Sequence, residues 1–189
     1  MKVLLTAVNA KYIHSNLAVY DLRAYAEAYG TGGAQVEIGE YTINHTIDYI
    51  LEGIYKAKPD VLCFSCYIWN LDYVEQLMDE YHKICPEVPI WVGGPEVSYE
   101  TEAFLKEHPQ VTGVMVGEGE ETFLELCESY AKAGIGEMAE KMNLSGIKGI
   151  MYRAGESLVK TGAREPLDLN RIPFCYGGVE DFRNRIIYY

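Results

Sequence analysis

The chain has 189 residues, of which 16 are Lys or Arg and 28 are Asp or Glu, so its formal net charge is −12. This acidic balance argues against a nucleic-acid partner, because binding to phosphates requires clustered basic residues. No apolar run approaches the roughly 18 residues that span a bilayer, so we expect no membrane segment. The five cysteines are irregularly spaced and form no dense disulfide framework, which indicates a reducing, cytoplasmic compartment.

The first 133 or so residues alternate β-favouring runs with segments of helical period. Near-continuous apolar runs, which are typical of strands covered on both faces, occupy residues 2–8, 60–66, 88–92 and, in a shorter form, 113–116. Residues 35–41 alternate polar and apolar side chains instead, as expected of a strand nearer the edge of a sheet.

Helical spacing of apolar residues separates these runs. It predicts helices over residues 16–29, after Thr46 as N-cap, after Asn70, from Ser98 as a cap to residue 106, and over residues 123–131. Five βα units imply a parallel sheet with helices on both faces. We therefore predict a flavodoxin-like, doubly wound, five-stranded parallel sheet of order 2-1-3-4-5, whose ligand binds at the carboxyl ends of strands one, three and four.

The remaining residues have a different pattern. Residues 134–145 are predicted to be a helix or linker, and residues 147–160 form a β-hairpin around a turn at Gly155. Residues 164–176 are predicted to be an extended connector. We thus predict one Rossmann-like domain over 1–133 and a linker, hairpin and connector over 134–189. The final apolar residues, strand-like and with no visible partner, suggest a piece of a larger protein.

Several ligands that this type of sheet commonly binds are disfavoured by the residues at the strand ends. A phospho-receiver domain needs acidic residues after strand one and at the end of strand three and a Lys after strand five, where this chain has Asn9, Cys66 and Glu118. The loop after strand one contains no glycine, unlike a flavin phosphate loop. A dinucleotide would be repelled by the three carboxylates of residues 117–122, although Gly117 and Gly119 fit half of its motif.

A redox dithiol is also disfavoured. Cys63 and Cys66 have the C-x-x-C spacing, but they lie in a predicted strand, where residues three apart point to opposite faces. A thioredoxin-like pair instead needs a helix N-terminus, which lowers the thiol pKa. We interpret both cysteines as structural thiols.

The remaining candidate is a large, flat ligand that is mostly uncharged. Gly93 and Gly94 allow close approach of the backbone at the end of strand four. Tyr67, Ile68 and Trp69 form an apolar surface at the end of strand three, where a polar loop is expected. The alternatives are an ordinary turn before Pro95 and packing of the aromatic residues against a neighbouring loop or domain.

Four strand-end segments, residues 9–16, 64–70, 93–98 and 117–123, resemble, together with the predicted sheet, the cobalamin-binding domain at the N-terminus of B12-dependent radical SAM proteins. The resemblance implies that a corrinoid lies across the carboxyl edge of the sheet, with its nucleotide tail near the ends of strands three and four. The loop after strand one and the aromatic residues would face the corrin ring. The implied cofactor-binding residues are Asn9, Ala10, His14, Ser15, Ser65, Tyr67, Ile68, Trp69, Gly93, Gly94, Pro95, Glu118 and Gly119.

The sequence departs from related patterns in two places. Corrinoid domains that ligate cobalt through a protein His carry D-x-H-x-x-G after strand one, whereas His14 has Tyr12 at the Asp position and Leu17 at the Gly position. We therefore expect base-off cobalamin without a protein His ligand. The C-x-x-x-C-x-x-C loop of radical SAM enzymes is also absent, so the 4Fe-4S cluster and S-adenosylmethionine are expected only in a further C-terminal domain.

Our hypothesis from the sequence is a cobalamin-binding module of a radical SAM enzyme, which carries out methyl transfer or related radical chemistry. The chain alone is expected to be inert, with a corrinoid and a radical SAM domain of the same full-length chain as partners. We identify no catalytic residue and no protein metal ligand. The alternatives are a Rossmann-like domain that binds a nucleotide or small metabolite, and an inter-domain interaction module that uses residues 67–69.

Overall fold

The computed structural model describes residues 1–11, 15–133, 142 and 144–176. One sheet of seven strands organises these residues, in the order β2-β1-β3-β4-β5-β6-β7. The strands are β1 Lys2–Asn9, β2 Gln35–Thr42, β3 Val61–Ser65, β4 Ile90–Gly93, β5 Gly113–Met115, β6 Ile150–Ala154 and β7 Ser157–Lys160. The first five are parallel, which confirms the predicted order 2-1-3-4-5.

Within the described parts of the chain, six α-helices cover the two faces of the sheet. They are α1 Leu17–Tyr29, α2 Ile47–Ala57, α3 Leu71–Ile84, α4 Pro95–Ser98, α5 Thr101–Glu107 and α6 Glu120–Ala133. Side chains of α1 and α6 form one core with one face of the sheet, and those of α2, α3, α4 and α5 form a second core on the other face. Among the described residues, no helix is both long and apolar enough to cross a membrane.

Strand β3, the middle one of the five parallel strands, shows why the sequence adopts this arrangement. All five of its residues are buried. Leu62 and Phe64 pack into the core with α2 and α3, while Cys63 packs into the core with α1 and α6. A strand covered on both faces needs apolar side chains at every position, which explains the continuous run. Cys66, just after the strand, packs in the core opposite Cys63, as the strand period predicts.

The predicted helices are present except after β4, and α6 begins three residues before the predicted start at residue 123. Thr46 caps α2 as predicted, with its hydroxyl accepting a hydrogen bond from the Tyr49 N–H at 3.3 Å. The single helix expected from Ser98 is wrong, because two short helices occupy this segment. Ser98 ends the first of them, and its hydroxyl donates to Gly94 O at 2.8 Å. Pro95 starts that helix, a position that proline favours because its missing N–H has no intrahelical partner there.

The predicted hairpin is present, but it extends the main sheet, so the sheet has seven strands and not the predicted five. Strand β6 pairs antiparallel with β5, and β7 pairs antiparallel with β6. Gly155 in the turn has φ of +60°, a conformation that glycine adopts at little cost. The predictions for residue 134, for most of the linker and for residues 177–189 lie outside the described residues.

The connector packs back against α1 and α6. The Arg164 guanidinium lies 3.0 Å from the carboxylate of Glu121 and 2.5 Å from that of Glu125, both on α6. Arg171 contacts Glu121 at 2.8 Å and lies over the ring of Tyr29 on α1. The Tyr29 hydroxyl donates to the backbone carbonyl of Arg171 at 2.9 Å. The described part of the connector is therefore fixed to the same helical layer that covers one side of the sheet.

Candidate functional site

A cleft of about 540 Å³ opens at the carboxyl edge of the sheet. It lies between the ends of β3, β4 and β5, the start of α1 and the loop before α6. Its volume lies within the range of roughly 300–1,000 Å³ that is usual for cofactor and ligand pockets. It is lined by Leu5, Ala18, Val19, Leu22, Cys63, Phe64, Ser65, Tyr67, Gly93, Gly94, Pro95, Ser98, Tyr99, Met115, Val116, Gly117, Glu118, Gly119 and Glu120.

Small residues on two neighbouring strands keep the floor of the cleft open. Cys63 and Ser65 are two apart on β3 and so point to the same face of the sheet, and Gly93 is paired with Ser65 on β4. A Cβ built on Gly93 would meet Met115 at 3.6 Å, an ordinary van der Waals distance. No protein contact within reach therefore requires a glycine here, and a side chain would project into the cleft.

Gly94 is required by the backbone itself. Its φ is +115°, which residues with a side chain rarely adopt. A Cβ at this position would also lie well inside contact distance of the Cys66 carbonyl oxygen. The Cys66 N–H donates to Gly93 O at 2.7 Å, so the backbone just after β3 is held directly against the end of β4. Gly94 is thus required by its backbone conformation and by the close contact with Cys66, whereas Gly93 leaves space in the cleft.

An aromatic turn follows β3 at the mouth of the cleft. The rings of Tyr67 and Trp69 are stacked, with centroids 4.5 Å apart and planes 9° from parallel. Tyr67 lines the cleft, whereas Ile68 is 79% exposed and Trp69 is 43% exposed beside it. This apolar surface at the edge of the sheet could support a flat ligand that extends out of the cleft.

The loop after β1 is anchored at both of its ends by one carboxylate. Glu40, on β2, accepts hydrogen bonds from Asn9 Nδ2 at 3.0 Å and from the Asn16 N–H at 3.1 Å. The Tyr20 hydroxyl donates to the other oxygen of Glu40 at 2.5 Å. Asn16 continues towards the cleft, since its Nδ2 donates to Ser65 Oγ at 3.1 Å. Asn9 and Asn16 are thereby joined through Glu40, and Asn16 is bonded to the cleft at Ser65.

Two acidic residues line the wall on the side of α6. The Glu118 carboxylate accepts a hydrogen bond from the Leu167 N–H of the connector at 2.6 Å. Partial burial raises the pKa of the Glu120 carboxyl above its usual value, and the nearby carboxylates of Asp21 and Glu118 raise it further. This wall therefore carries a carboxylate already bonded to the connector and another that holds its proton more tightly than usual.

The structure brings together about half of the residues predicted from the resemblance. Those lining the cleft are Ser65, Tyr67, Gly93, Gly94, Pro95, Glu118 and Gly119. Asn9, Ala10, Ser15, Ile68 and Trp69 are not part of its lining. His14 lies outside the described residues. Ser15 lies near the connector, with its hydroxyl 3.1 Å from that of Tyr176.

The sequence did not predict that α1 lines the cleft, nor that two polar residues, Glu40 and Asn70, hold the chain segments around it. Ala18, Val19 and Leu22 line the cleft but have the spacing of ordinary core residues of an amphipathic helix. Glu40 and Asn70 also went unpredicted as parts of the site. The alternation in β2 placed Glu40 on a strand near the edge, but nothing in the pattern indicated that its carboxylate binds the loop after β1.

The chemistry of the cleft fits a corrinoid. Its surface is mostly apolar, with hydroxyl and carboxyl groups at the rim that can accept hydrogen bonds from the amide side chains of a corrin. Gly93 leaves room that a Cβ would take, and the mouth is flanked by aromatic rings. The ring nitrogens of a corrin hold its cobalt, so the protein need not supply a metal cluster. Among the residues that the structure describes, no group of His, Cys, Asp or Glu could hold a metal ion.

Comparison with known proteins gives both a methyltransferase and a cyclase among the relatives of this chain. Over 139 residues the chain is 28% identical to the cobalamin-dependent radical SAM methyltransferase TokK of Streptomyces tokunonensis, covering 73% of this chain and 19% of TokK. Over 162 residues it is 25% identical to the anaerobic magnesium-protoporphyrin IX monomethyl ester cyclase of Rubrivivax gelatinosus, covering 83% of this chain and 28% of the cyclase. The chain thus spans less than a third of either relative.

A solved structure has the same fold. It is the radical S-adenosylmethionine methyltransferase TsrM from Kitasatospora setae, with cobalamin and an iron–sulfur cluster bound. The TM-score is 0.62 at 16% identity, and the match covers 86% of this chain and 31% of TsrM. A sequence model of the B12 binding domain matches residues 3–127, from the second residue of β1 into α6. The chain therefore belongs to the B12-binding domain family.

Proposed function

We propose that the chain holds cobalamin across the carboxyl edge of its sheet, with the nucleotide arm of the cofactor in the cleft. The observation that carries this proposal is the open floor at Gly93, where the fold has space for a side chain and the sequence provides none. Ser65, Gly93 and Gly94 would hold the arm from the side of the sheet, and Glu118 and Gly119 from the side of α6.

The corrin ring would then extend beyond the mouth of the cleft. Tyr67, Ile68 and Trp69 would offer apolar surface to it, and we propose that the loop after β1, including Asn9, Ala10, His14 and Ser15, faces the ring from the other side. This surface would also exclude water from one face of the ring, which suits a macrocycle whose bulk is mostly uncharged. Bound cobalamin would supply cobalt-centred methyl transfer or related radical chemistry.

We further propose that cobalamin is bound base-off and without a protein His on cobalt. In the base-off form the nucleotide arm leaves cobalt and is available to enter a cleft in the protein. The residues around His14 lack the pattern D-x-H-x-x-G, and no histidine is present among the described residues that line the cleft. The missing pattern argues against a His ligand on cobalt, and the cleft supports the base-off form because it offers a place for the displaced nucleotide arm.

The chain is proposed to act as one module of a larger cytoplasmic protein. In this arrangement residues 1–133 bind the corrinoid, and residues 134–189 lead to a radical SAM domain that carries a 4Fe-4S cluster and S-adenosylmethionine. The named relatives include both methyltransferases and a cyclase, so the module is assigned to the corrinoid and not to one particular reaction of the whole protein.

Mixing the purified chain with hydroxocobalamin, followed by desalting, tests the proposal. We expect a red protein fraction with about one corrinoid per chain and with an absorption spectrum of the base-off type. A colourless protein fraction would contradict it. A base-on spectrum would contradict only the coordination proposed for cobalt. A thermal shift with nucleotides and none with the corrinoid would favour a nucleotide-binding domain instead.

A further inference from the structure

Asn70 lies directly beneath the aromatic turn and is completely buried. Its Nδ2 donates to Val8 O at 3.0 Å and to Ser65 O at 2.9 Å. Its Oδ1 accepts from the Tyr67 N–H at 2.8 Å. Both amide hydrogens and the amide oxygen are therefore used, which is the arrangement that makes a buried polar side chain favourable.

These three bonds connect the parts of the molecule that flank the mouth of the cleft. Val8 is near the end of β1, just before the loop anchored by Glu40, and Ser65 ends β3 in the wall of the cleft. Tyr67 begins the turn that carries the stacked rings. The turn is closed by a further bond in which the backbone N–H of Asn70 donates to Tyr67 O at 3.0 Å.

A second set of hydrogen bonds connects Ser65, at the end of β3, to the loop after β1. Asn16 Nδ2 donates to Ser65 Oγ, and the Asn16 N–H is bound by Glu40. Ser65 is thus bonded through its backbone carbonyl to Asn70 and through its hydroxyl to Asn16. The loop after β1 and the aromatic turn are both fixed to one residue of the cleft wall.

We infer that Asn70 is a positioning residue for the corrinoid, which holds the aromatic turn in its binding arrangement before the cofactor arrives. The inference rests on the proposed function. A surface that is already ordered loses less conformational entropy when the ligand binds, and so gives tighter binding from the same contacts. Asn70 itself is buried behind the turn and acts through Tyr67 and Trp69.

The variant Asn70→Asp tests this role because it keeps the size of the side chain. It replaces the two N–H donors with a carboxylate, which has none, or with its acid, which has one, so at least one of the carbonyl oxygens of Val8 and Ser65 loses its donor. The milder Asn70→Ser serves if Asn70→Asp does not fold. The matched control is Asn44→Asp, which makes the same chemical change at an exposed asparagine in the turn before α2.

Two measurements separate positioning from folding. The first is acrylamide quenching of tryptophan fluorescence without cofactor, which reports on Trp69 because Trp91 is fully buried. The second is the Kd, at a temperature where every variant is folded, for hydroxocobalamin and for cobinamide, a corrinoid that lacks the nucleotide arm. We expect Asn70→Asp to increase quenching and to weaken binding of both corrinoids by a similar factor of about 10 or more, with Asn70→Ser between it and the wild type.

These measurements distinguish a failure of the inference from a failure of the proposed function. If the wild type binds corrinoid and folded Asn70 variants bind it with unchanged Kd, Asn70 has a structural role alone and the inference is wrong. Weaker binding with unchanged quenching of Trp69 would also overturn it. If the wild type binds neither corrinoid, the proposed function fails and the inference falls with it. Asn44→Asp is expected to match the wild type in both measurements.

Discussion

Gly93 and Met115 face each other on adjacent strands of the cleft floor, and Met115 supplies the atoms that a Cβ on Gly93 would meet first, at 3.6 Å. That distance is an ordinary contact, and the φ of Gly93 is not among the positive values found in the described glycines. The absence of a side chain at this position is therefore explained by the space it leaves and not by the backbone.

We predict that Gly93→Val folds and binds cobalamin at least about 10-fold more weakly, because its side chain fills space proposed for the nucleotide arm. Binding of cobinamide should be nearly unchanged, since that ligand has no such arm. Both affinities can be measured by absorbance titration. Gly162→Val is the control, because a Cβ at Gly162 meets nothing within 4 Å and the residue is outside the cleft. Equal weakening of both corrinoids by Gly93→Val would contradict an arm-specific effect.

Gly94 is predicted to be essential for stability. Gly94→Ala places a methyl group against the backbone of Cys66 in addition to forcing an unfavourable φ, whereas Gly117→Ala has a φ of +84° with open space around it. With a ψ of 174°, Gly94 lies in a backbone region that is essentially restricted to glycine and that costs other residues about 1–3 kcal/mol. A steric clash in a packed region adds about 1–3 kcal/mol. Urea unfolding should therefore show a larger decrease in the free energy of unfolding for Gly94→Ala than for Gly117→Ala. If the two variants lost equal amounts of unfolding free energy, the backbone at Cys66 would be able to move away from the new methyl group at no cost.

The strand order could be predicted because it follows from local patterns. Each buried parallel strand is a short apolar run, and the βα alternation then restricts the connections to very few arrangements. The strand-end glycines could be predicted for the same reason, since parallel strands bring their carboxyl ends to one edge. Ser65, Gly93 and Glu118 were therefore placed together correctly although they are far apart in sequence.

The rest of the site depends on contacts that leave no periodic signal. Leu22 follows the helical pattern equally well whether it faces a core or a cleft. Glu40 and Asn70 are single polar residues whose partners are backbone groups and amides from other elements. The connector was predicted as extended, but its docking depends on pairs such as Arg164 with Glu125, which no local pattern indicates.

Trp69 is predicted to contact the corrin ring and to report on it. Corrinoid binding should quench most of the accessible tryptophan fluorescence, because Trp91 is buried in the core and Trp69 is at the mouth. Trp69→Ala should weaken binding of cobalamin and cobinamide alike, by several-fold or more, through lost apolar contact. Tyr49→Ala, at another partly exposed aromatic residue on α2, is the control and should leave both Kd values unchanged. A Trp69→Ala variant with wild-type affinities would show that the ring lies elsewhere.

The docking of the connector is predicted to weaken in acid. Burial raises the pKa of the Glu121 carboxyl, but the hydrogen bonds and charges of Arg164 and Arg171 outweigh it, so the pKa in the folded protein is lower than usual. The folded state thus binds this proton less readily than the unfolded state does. The resulting stability is present above the usual pKa of the carboxyl and is lost as the pH falls through the lowered value.

The Glu121→Gln variant isolates this contribution. At pH 7 it should lower the free energy of unfolding by about 1 kcal/mol, the scale of a partly exposed, hydrogen-bonded ion pair. The difference from the wild type should shrink steadily below about pH 4.5, where the wild-type carboxyl takes up its proton.

Glu128→Gln, which breaks a surface pair with Lys132 on the same helix, should show a smaller effect at pH 7. Limited proteolysis should cut the connector faster in Glu121→Gln at neutral pH, because Arg164 and Arg171 lose a shared partner. A difference in unfolding free energy that stays constant from pH 7 to pH 3 would mean that Glu121 stabilises the fold by packing and not through its charge.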